Sequence, residues 1–410
     1  MALDYTTFEL PNGLRVVHCE LPESSMVAVN VLYNVGARDD SEGLTGMAHL
    51  HEHLMFGGSV NIADFDGALE LAGGSNNAWT SDDFTSYWDL VPAQNAETAF
   101  WLESDRMLSL AFSPRSLEVQ RQVVIEEFKQ VCLNRPYGDL SHRIREMMFT
   151  RHPYRCPTIG STPADIERIT MDDVRRFFFS HYAPNNAVLS VAGRITADRC
   201  RRLAGKWFGA LPRREIAPRI VVEEPVATAP LRRAVKADVP KTLLAVIFPM
   251  GGYTDPHYIG ADLLTDILAN GRSSRFYRRL LIATDLFTDV DASISGLEET
   301  GYLMVTATLR EHGDNAVADA EKALWTELDS IVAEPPTPGE VQRVVNAYES
   351  TQALTNLNSL AIAQNLAMAT MHGESPEARL ERYLEATPAT IHAAARAIIV
   401  KQRARTLIYG

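Results

Sequence analysis

One order of elements occurs twice in this chain, and that repetition limits what it can fold into more than any other feature. Phe8 to Cys19 reads as a hairpin turning at Pro11-Asn12-Gly13, and Met26 to Val35 as a strand running into Gly36. A helix is expected from about Leu44 to Phe56. It is followed by loop composition at Gly73-Gly74-Ser75-Asn76-Asn77, a strand over Phe84 to Val91 and a helix over Asn95 to Ala111. The order begins again at a strand over Leu243 to Phe248. It passes Gly251-Gly252 and Asp255 to a helix over Tyr258 to Ala269, then a strand over Tyr302 to Leu309 and a helix from about Asn315. A period of roughly two hundred residues is too long for a solenoid and points to duplication of a whole α+β domain. The expected division is a first domain over 1–212, a proline-rich, charged linker over 213–230, and a homologous second domain over 231–410.

Size agrees, because 410 residues, 46% of them hydrophobic, exceed what one compact core holds. A formal charge of −13 argues against a surface built to neutralise phosphate backbones or anionic lipid, so nucleic acid and membrane partners are not expected. The first residues carry neither a basic nor an apolar leader region, and no later stretch reaches the ~20 apolar residues of a membrane span. The expected location is the cytoplasm, or the periplasm if a signal peptide preceded this numbering. Cys19, Cys132, Cys156 and Cys200 are scattered without a C-x-x-C pair and read as thiols.

Chemistry concentrates at His49-Leu50-His51-Glu52-His53. Residues four apart project from one helical face, so His49 and His53 can share a cation, while Glu52 can reach a water beside it without joining the coordination shell. Neutral imidazoles suit zinc, whose catalytic sites take three protein ligands and leave a fourth position open. The H-x-x-E-H order is that of the inverted zincins. A third ligand is expected in Val123-Val124-Ile125-Glu126-Glu127-Phe128, on a helix from about Ser116 to Leu133. Glu127 has Val123, Val124 and Val131 one turn away and points with the apolar face, where a carboxylate is costly unless paired or metal-bound. Glu126 faces Gln122, Lys129 and Gln130 and is expected at the surface. His51 turns away from the pair and is expected to pack or support the site, and His142, His152 and His181 stand alone.

Gly46-Met-Ala-His49-Leu-His-Glu52-His53-Leu-Met-Phe, then Asn77-Ala78-Trp79-Thr80-Ser81, then Val123-Val-Ile-Glu-Glu127 together resemble the pitrilysin (insulinase) family of zinc peptidases, in particular short bacterial members related to the mitochondrial processing peptidase. The resemblance covers nearly the whole chain, and Glu127 follows His53 by 74 positions, close to the family's usual separation. It implies two homologous α/β-sandwich domains forming half of a clamshell, one Zn2+ per chain, and cleavage of oligopeptides or unfolded segments in a dimeric chamber. On that model Asn77 and Ala78 lie on the edge strand to which a peptide adds, the plainer reading being a turn. Gln120 stands two turns before Glu127, where the family often carries a supporting glutamate.

Many members also carry an Arg and a Tyr seven residues apart near the end of a helix in the second half. Here those positions are Leu281 and Thr288. Aligning Ala261 with Ala48 places Asp262, Thr265 and Asp266 opposite His49, Glu52 and His53, so the second half has no metal triad. The expectation is therefore the catalytic subunit of a heterodimer whose homologous, zinc-free partner supplies the Arg/Tyr pair. The alternatives are a self-sufficient homodimer, with Tyr277, Arg278 or Arg279 as the replacement donor, and a non-catalytic scaffold subunit. A purely structural zinc site would need a fourth protein ligand.

Overall fold

The computed structural model describes residues 3–410. Strands β1 (Tyr5–Glu9), β2 (Arg15–Glu20) and β3 (Met26–Tyr33) precede helix α1 (Met47–Leu54), then β4 (Ser75–Thr80) and β5 (Thr85–Pro92). Helices α2 (Pro114–Phe128), α3 (Leu140–Met148) and α4 (Met171–His181) lead to β6 (Ala187–Gly193). After β7 (Leu231–Val235) come β8 (Leu243–Gly251), α5 (Tyr258–Leu268), β9 (Phe287–Ser295), β10 (Thr300–Leu309), α6 (Ser359–His372) and β11 (Arg405–Tyr409). Further helices are named by residue range. No helix among the described residues is long and apolar enough to cross a membrane.

The two sheets follow one plan. The first has the order β1-β2-β6-β3-β5-β4 and the second β7-β11-β8-β10-β9. In each, the last strand of the half inserts beside an early one with parallel pairing, β6 on β2 and β11 on β7, and every other contact is antiparallel. Thus β2, β6, β3, β5 and β4 correspond in order to β7, β11, β8, β10 and β9, and β1 is an addition to the first half. The α+β duplication read from the sequence is the architecture. β3 and β6 are nearly uninterrupted apolar runs because both faces of their sheet are covered.

The compact units do not follow chain order. One comprises Met1–Gln130, Cys156–Ile220 and Thr351–Arg379; the other comprises Val131–Arg155, Val221–Ser350 and Leu380–Gly410. The simple division at 1–212, 213–230 and 231–410 is therefore amended by two exchanged segments. In the first unit α6, from late in the chain, lays Ile362, Ala363, Leu366 and Ala367 on Val17, Ala28, Leu32 and Val188 of the sheet. In the second, α3 lays Ile144, Met147 and Met148 on Ala245, Ile247 and Leu407. Each sheet buries one face under a helix from the other half of the sequence.

Three local expectations change. The first helix starts at Met47, because Gly46 is in the left-handed region at φ +89°. The loop expected at 73–77 is shorter, since Ser75, Asn76 and Asn77 pair with Leu90, Asp89 and Trp88; cross-strand pairing outweighs the weak strand preference of Ser and Asn. The helix expected to reach Thr288 ends at the turn Tyr277–Leu281, and Thr288 belongs to β9.

Candidate metal centre

All the residues singled out in the first half for metal chemistry lie in the first unit. α1 follows β3 across the sheet and packs against α2, α4 and β4. Its buried side is Met47, Ala48, Leu50, His51 and Leu54, which leaves His49, Glu52 and His53 on the opposite, partly open face. α2 begins at Ser113, whose hydroxyl accepts from Ser116 N, and Pro114 supplies a preset first turn. It ends in a five-residue π turn, Lys129–Leu133, directly after the segment that bears Glu127.

The helices bring three donors together. His49 Nε2 is 3.7 Å and His53 Nε2 3.5 Å from Glu127 Oε2, and ligand atoms of all three lie within 4.8 Å of one another. Two donors held about 2.05 Å from a tetrahedral zinc are separated by about 3.4 Å, so the spacing fits a cation between them. The imidazoles stand edge to face at 87° with centroids 4.9 Å apart. No fourth protein donor joins this group among the described residues, which is the composition of an open site, not of a closed structural one.

The electrostatics fit as well. Burial pushes the His49 imidazole down to about 4, with Glu127 pulling upward and His53 adding to the fall, so His49 is a neutral nitrogen ligand at pH 7. At His53 burial also acts downward, but the Glu127 and Glu52 carboxylates outweigh it and raise the value. Contact with His53 holds Glu127 below its ordinary value against the opposing effect of burial. Burial raises Glu52, and the Thr80 hydroxyl, donating to Glu52 Oε2 at 2.5 Å, works against that rise. The set comprises a neutral imidazole, an imidazole and a carboxylate that stabilise each other's charged forms, and a second carboxylate beside them with raised proton affinity.

Glu127 is less deeply set than the one-turn neighbours suggest. Val124 is buried, but Val123 is 44% exposed and the Glu127 side chain 39% exposed, so Glu127 lies on the rim between the packed and open faces of α2. Glu126 faces solvent and pairs with Lys129 at 2.6 Å. Gln120, two turns before Glu127 on α2, adds a small upward pull on the His53 imidazole. His51 is fully buried, its ring 5.3 Å from Tyr182 and 5.0 Å from Phe177, and burial pushes it down to about 3; it is a packing residue. Asn77 and Ala78 lie on β4, which pairs only with β5 and forms the sheet edge. The Ala78 amide donates to Asn77 Oδ1 at 2.8 Å and not to β5, so an edge donor is covered by a neighbouring side chain.

Sequence reasoning passed over Thr80, although it quoted the residue within the motif. The available signal was strand alternation, which puts Thr80 on the face of Ala78 and opposite to Asn77. In the second unit the counterparts of the ligands do other work. Asp262 accepts from the Tyr383 hydroxyl at 2.6 Å, Asp266 accepts from Asn270 at 3.0 Å, and the Thr265 hydroxyl donates to Asp262 O. Leu281 packs on the apolar core there, Thr288 is exposed, and Arg279 is paired with Glu327 at 2.9 Å.

The duplicated sheets and the three converging donors define a two-unit α+β protein whose H-x-x-E-H helix carries residues that could hold a metal ion. Residues 15–161 match the family described as insulinase (peptidase family M16), and residues 168–348 match the peptidase M16 inactive domain. The chain belongs to the pitrilysin/insulinase family, peptidase family M16. It is 31% identical over 271 residues to the zinc protease PqqE of Helicobacter pylori, a match spanning 65% of this chain and 61% of that protein. It is 26% identical over 417 residues to a zinc protease of Streptomyces coelicolor, spanning 97% of this chain and 88% of that one. Its fold superposes on the crystal structure of a protease from Helicobacter pylori with a TM-score of 0.92 at 24% identity, each chain covered completely. On the periplasmic protease PqqL of Escherichia coli it superposes with a TM-score of 0.82 at 18% identity, and covers 48% of that chain.

Proposed function

We propose that this chain is a zinc metallopeptidase that holds one Zn2+ at His49, His53 and Glu127 and uses Glu52 as its general base. The convergence of those donors, with the Glu52 carboxylate one turn of α1 away, is the observation that carries the reading. The relatives named zinc proteases support it. Zinc held by His49, His53 and Glu127 would polarise the scissile carbonyl and lower the pKa of the attacking water to roughly 7. Glu52 takes the proton of that water and delivers it to the leaving amine nitrogen. Thr80 occupies Oε2, which leaves Oε1 to face the water, and burial raises the proton affinity of the carboxyl, the direction that holding a proton between the two transfers requires. The substrate backbone adds to β4 as a further strand, its carbonyl replacing Asn77 Oδ1 on the Ala78 amide. Recognition through backbone groups suits oligopeptides and unfolded segments, which can become strands, over folded proteins.

The oxyanion of the tetrahedral intermediate calls for a further donor, and loss of one such donor typically costs about 10²–10³ in rate. Leu281 has none to offer, and the Thr288 hydroxyl donates to Thr308 O at 3.3 Å. The chain therefore works as the catalytic subunit of a heterodimer, its partner a homologous chain without zinc ligands that brings an Arg/Tyr pair. The match to about half the length of PqqL, and to 45% of pitrilysin at 18% identity, supports a unit that doubles to form the complete fold. The test is hydrolysis of unstructured peptides by the zinc-loaded chain with and without such a partner. Activity appearing only on mixing supports the divided site, and full activity of the single chain makes it a self-sufficient homodimer or monomer.

A further inference from the structure

We propose that Asp40 is a positioning residue for the metal ligands, capping α1 from outside the helix and so fixing where His49 is presented. The inference rests on the reading of His49, His53 and Glu127 as the zinc site. Asp40 Oδ2 accepts from Gly46 N at 2.7 Å and Met47 N at 3.2 Å, and Oδ1 accepts from Ala48 N at 2.9 Å. One carboxyl group thus satisfies three of the amides that the start of any helix leaves unpaired; burial pushes its pKa up to about 8 against the pull of those same amides, so the cap acts through accepted hydrogen bonds and not through a fixed charge.

The local sequence makes an outside cap necessary. The N-cap residue, Gly46, has no side chain and no acidic residue follows it in the first turn. A capping side chain cannot simply be placed there: Gly46 has φ +89°, and a Cβ would come within 3.2 Å of Ile159 O and 3.3 Å of the Gly160 backbone. α1 has only eight residues, too few to hold a helix unaided. His49 is the third of them, immediately after the amides that Asp40 holds. The loop before the helix is anchored separately, Thr45 Oγ1 accepting from Ser161 N and donating to Asp165 Oδ2, both at 2.7 Å. Asp40 is left with the helix start itself.

The second unit supplies an internal control. Its corresponding helix, α5, is also preceded by an aspartate, Asp255, yet that carboxylate accepts from His257 N at 2.8 Å, within its own turn. α5 runs eleven residues and bears no converging donor cluster among the described residues. The threefold clamp is found where ligands have to be aimed.

Asp40→Asn keeps the size but replaces one acceptor oxygen with an NH2 donor facing backbone amides. Zinc affinity by chelator competition, the visible absorption spectrum of the Co2+-loaded chain, and amide exchange of residues 47–50 in the metal-free chain are measured for the wild type, Asp40→Asn, Asp40→Glu and Asp255→Asn. The expected result for Asp40→Asn is a zinc Kd raised about 10- to 100-fold, an altered Co2+ spectrum and faster exchange at 47–50, with partial recovery in Asp40→Glu and wild-type values in Asp255→Asn. Wild-type affinity and spectrum in Asp40→Asn overturn the proposal. So does a variant that fails to fold, which would make Asp40 a determinant of the whole unit. A wild-type chain that binds neither metal refutes the zinc reading itself.

Discussion

At the scale of single residues the sequence is most legible where chemistry restricts the choice. Two histidines four apart with a glutamate between them announce a shared cation, and the structure brings both to the Glu127 carboxylate picked from the second helix. What escaped was what holds them, because Thr80 and Asp40 reach their targets from other elements and leave no periodic trace in the chain. Glu52→Gln is expected to retain zinc by metal analysis while peptide hydrolysis falls by about 10³-fold, within the range for loss of a general base. Thr80→Val removes the hydroxyl on Glu52 Oε2 and is expected to lower kcat about tenfold with KM and zinc content unchanged, the pattern of a group that orients the base. A matching rise in KM instead would assign Thr80 to substrate binding.

Among the elements, strands and helices follow their hydrophobic periods, and the exceptions have tertiary causes. β4 begins inside apparent loop composition because β5 offers a partner for every residue from Ser75 to Thr80. Its outer edge is where a peptide is expected to add, so Ala78→Pro, which deletes an amide donating only to Asn77 Oδ1, should raise KM about fivefold to tenfold and leave the melting temperature within about 2 °C. A fall of many degrees would mean that this amide serves the fold. In the second unit, Arg275 grips Glu340 through two bonds of 2.7 and 3.0 Å, which holds the Glu340 carboxyl down at about 2. A depressed carboxyl stabilises the folded state above its ordinary value near 4.5 and loses that contribution as pH falls from there toward 2. Glu340→Gln is therefore expected to melt lower than wild type at pH 7 by roughly 2–4 °C, about 1 kcal/mol once solvent screening is allowed for. The difference should shrink progressively below pH 4.5 in calorimetric scans.

For the molecule as a whole, the repeated strand-helix-strand-helix order revealed the duplication, and the structure extends it to a correspondence of five strands in each sheet. The exchange of α3 and α6 was not legible, because an amphipathic helix shows that it needs an apolar surface without showing which sheet provides it. The same pattern explains why the second half has no counterpart of the donor cluster among the described residues: its strands and helix are retained while Asp262 and Asp266, turned to hydrogen bonds with Tyr383 and Asn270, stand in for the histidines. That half matches the inactive domain of the family, and the first half carries the donors. The measurement that tests the central claim most directly is cleavage of a quenched fluorescent library of unstructured peptides by the zinc-loaded chain together with a zinc-free family partner carrying the Arg/Tyr pair, with Glu52→Gln as the blank. The account predicts hydrolysis by the mixture that is removed by Glu52→Gln and by chelation. Hydrolysis that survives Glu52→Gln, or no hydrolysis in any combination of a chain with zinc bound, would contradict it.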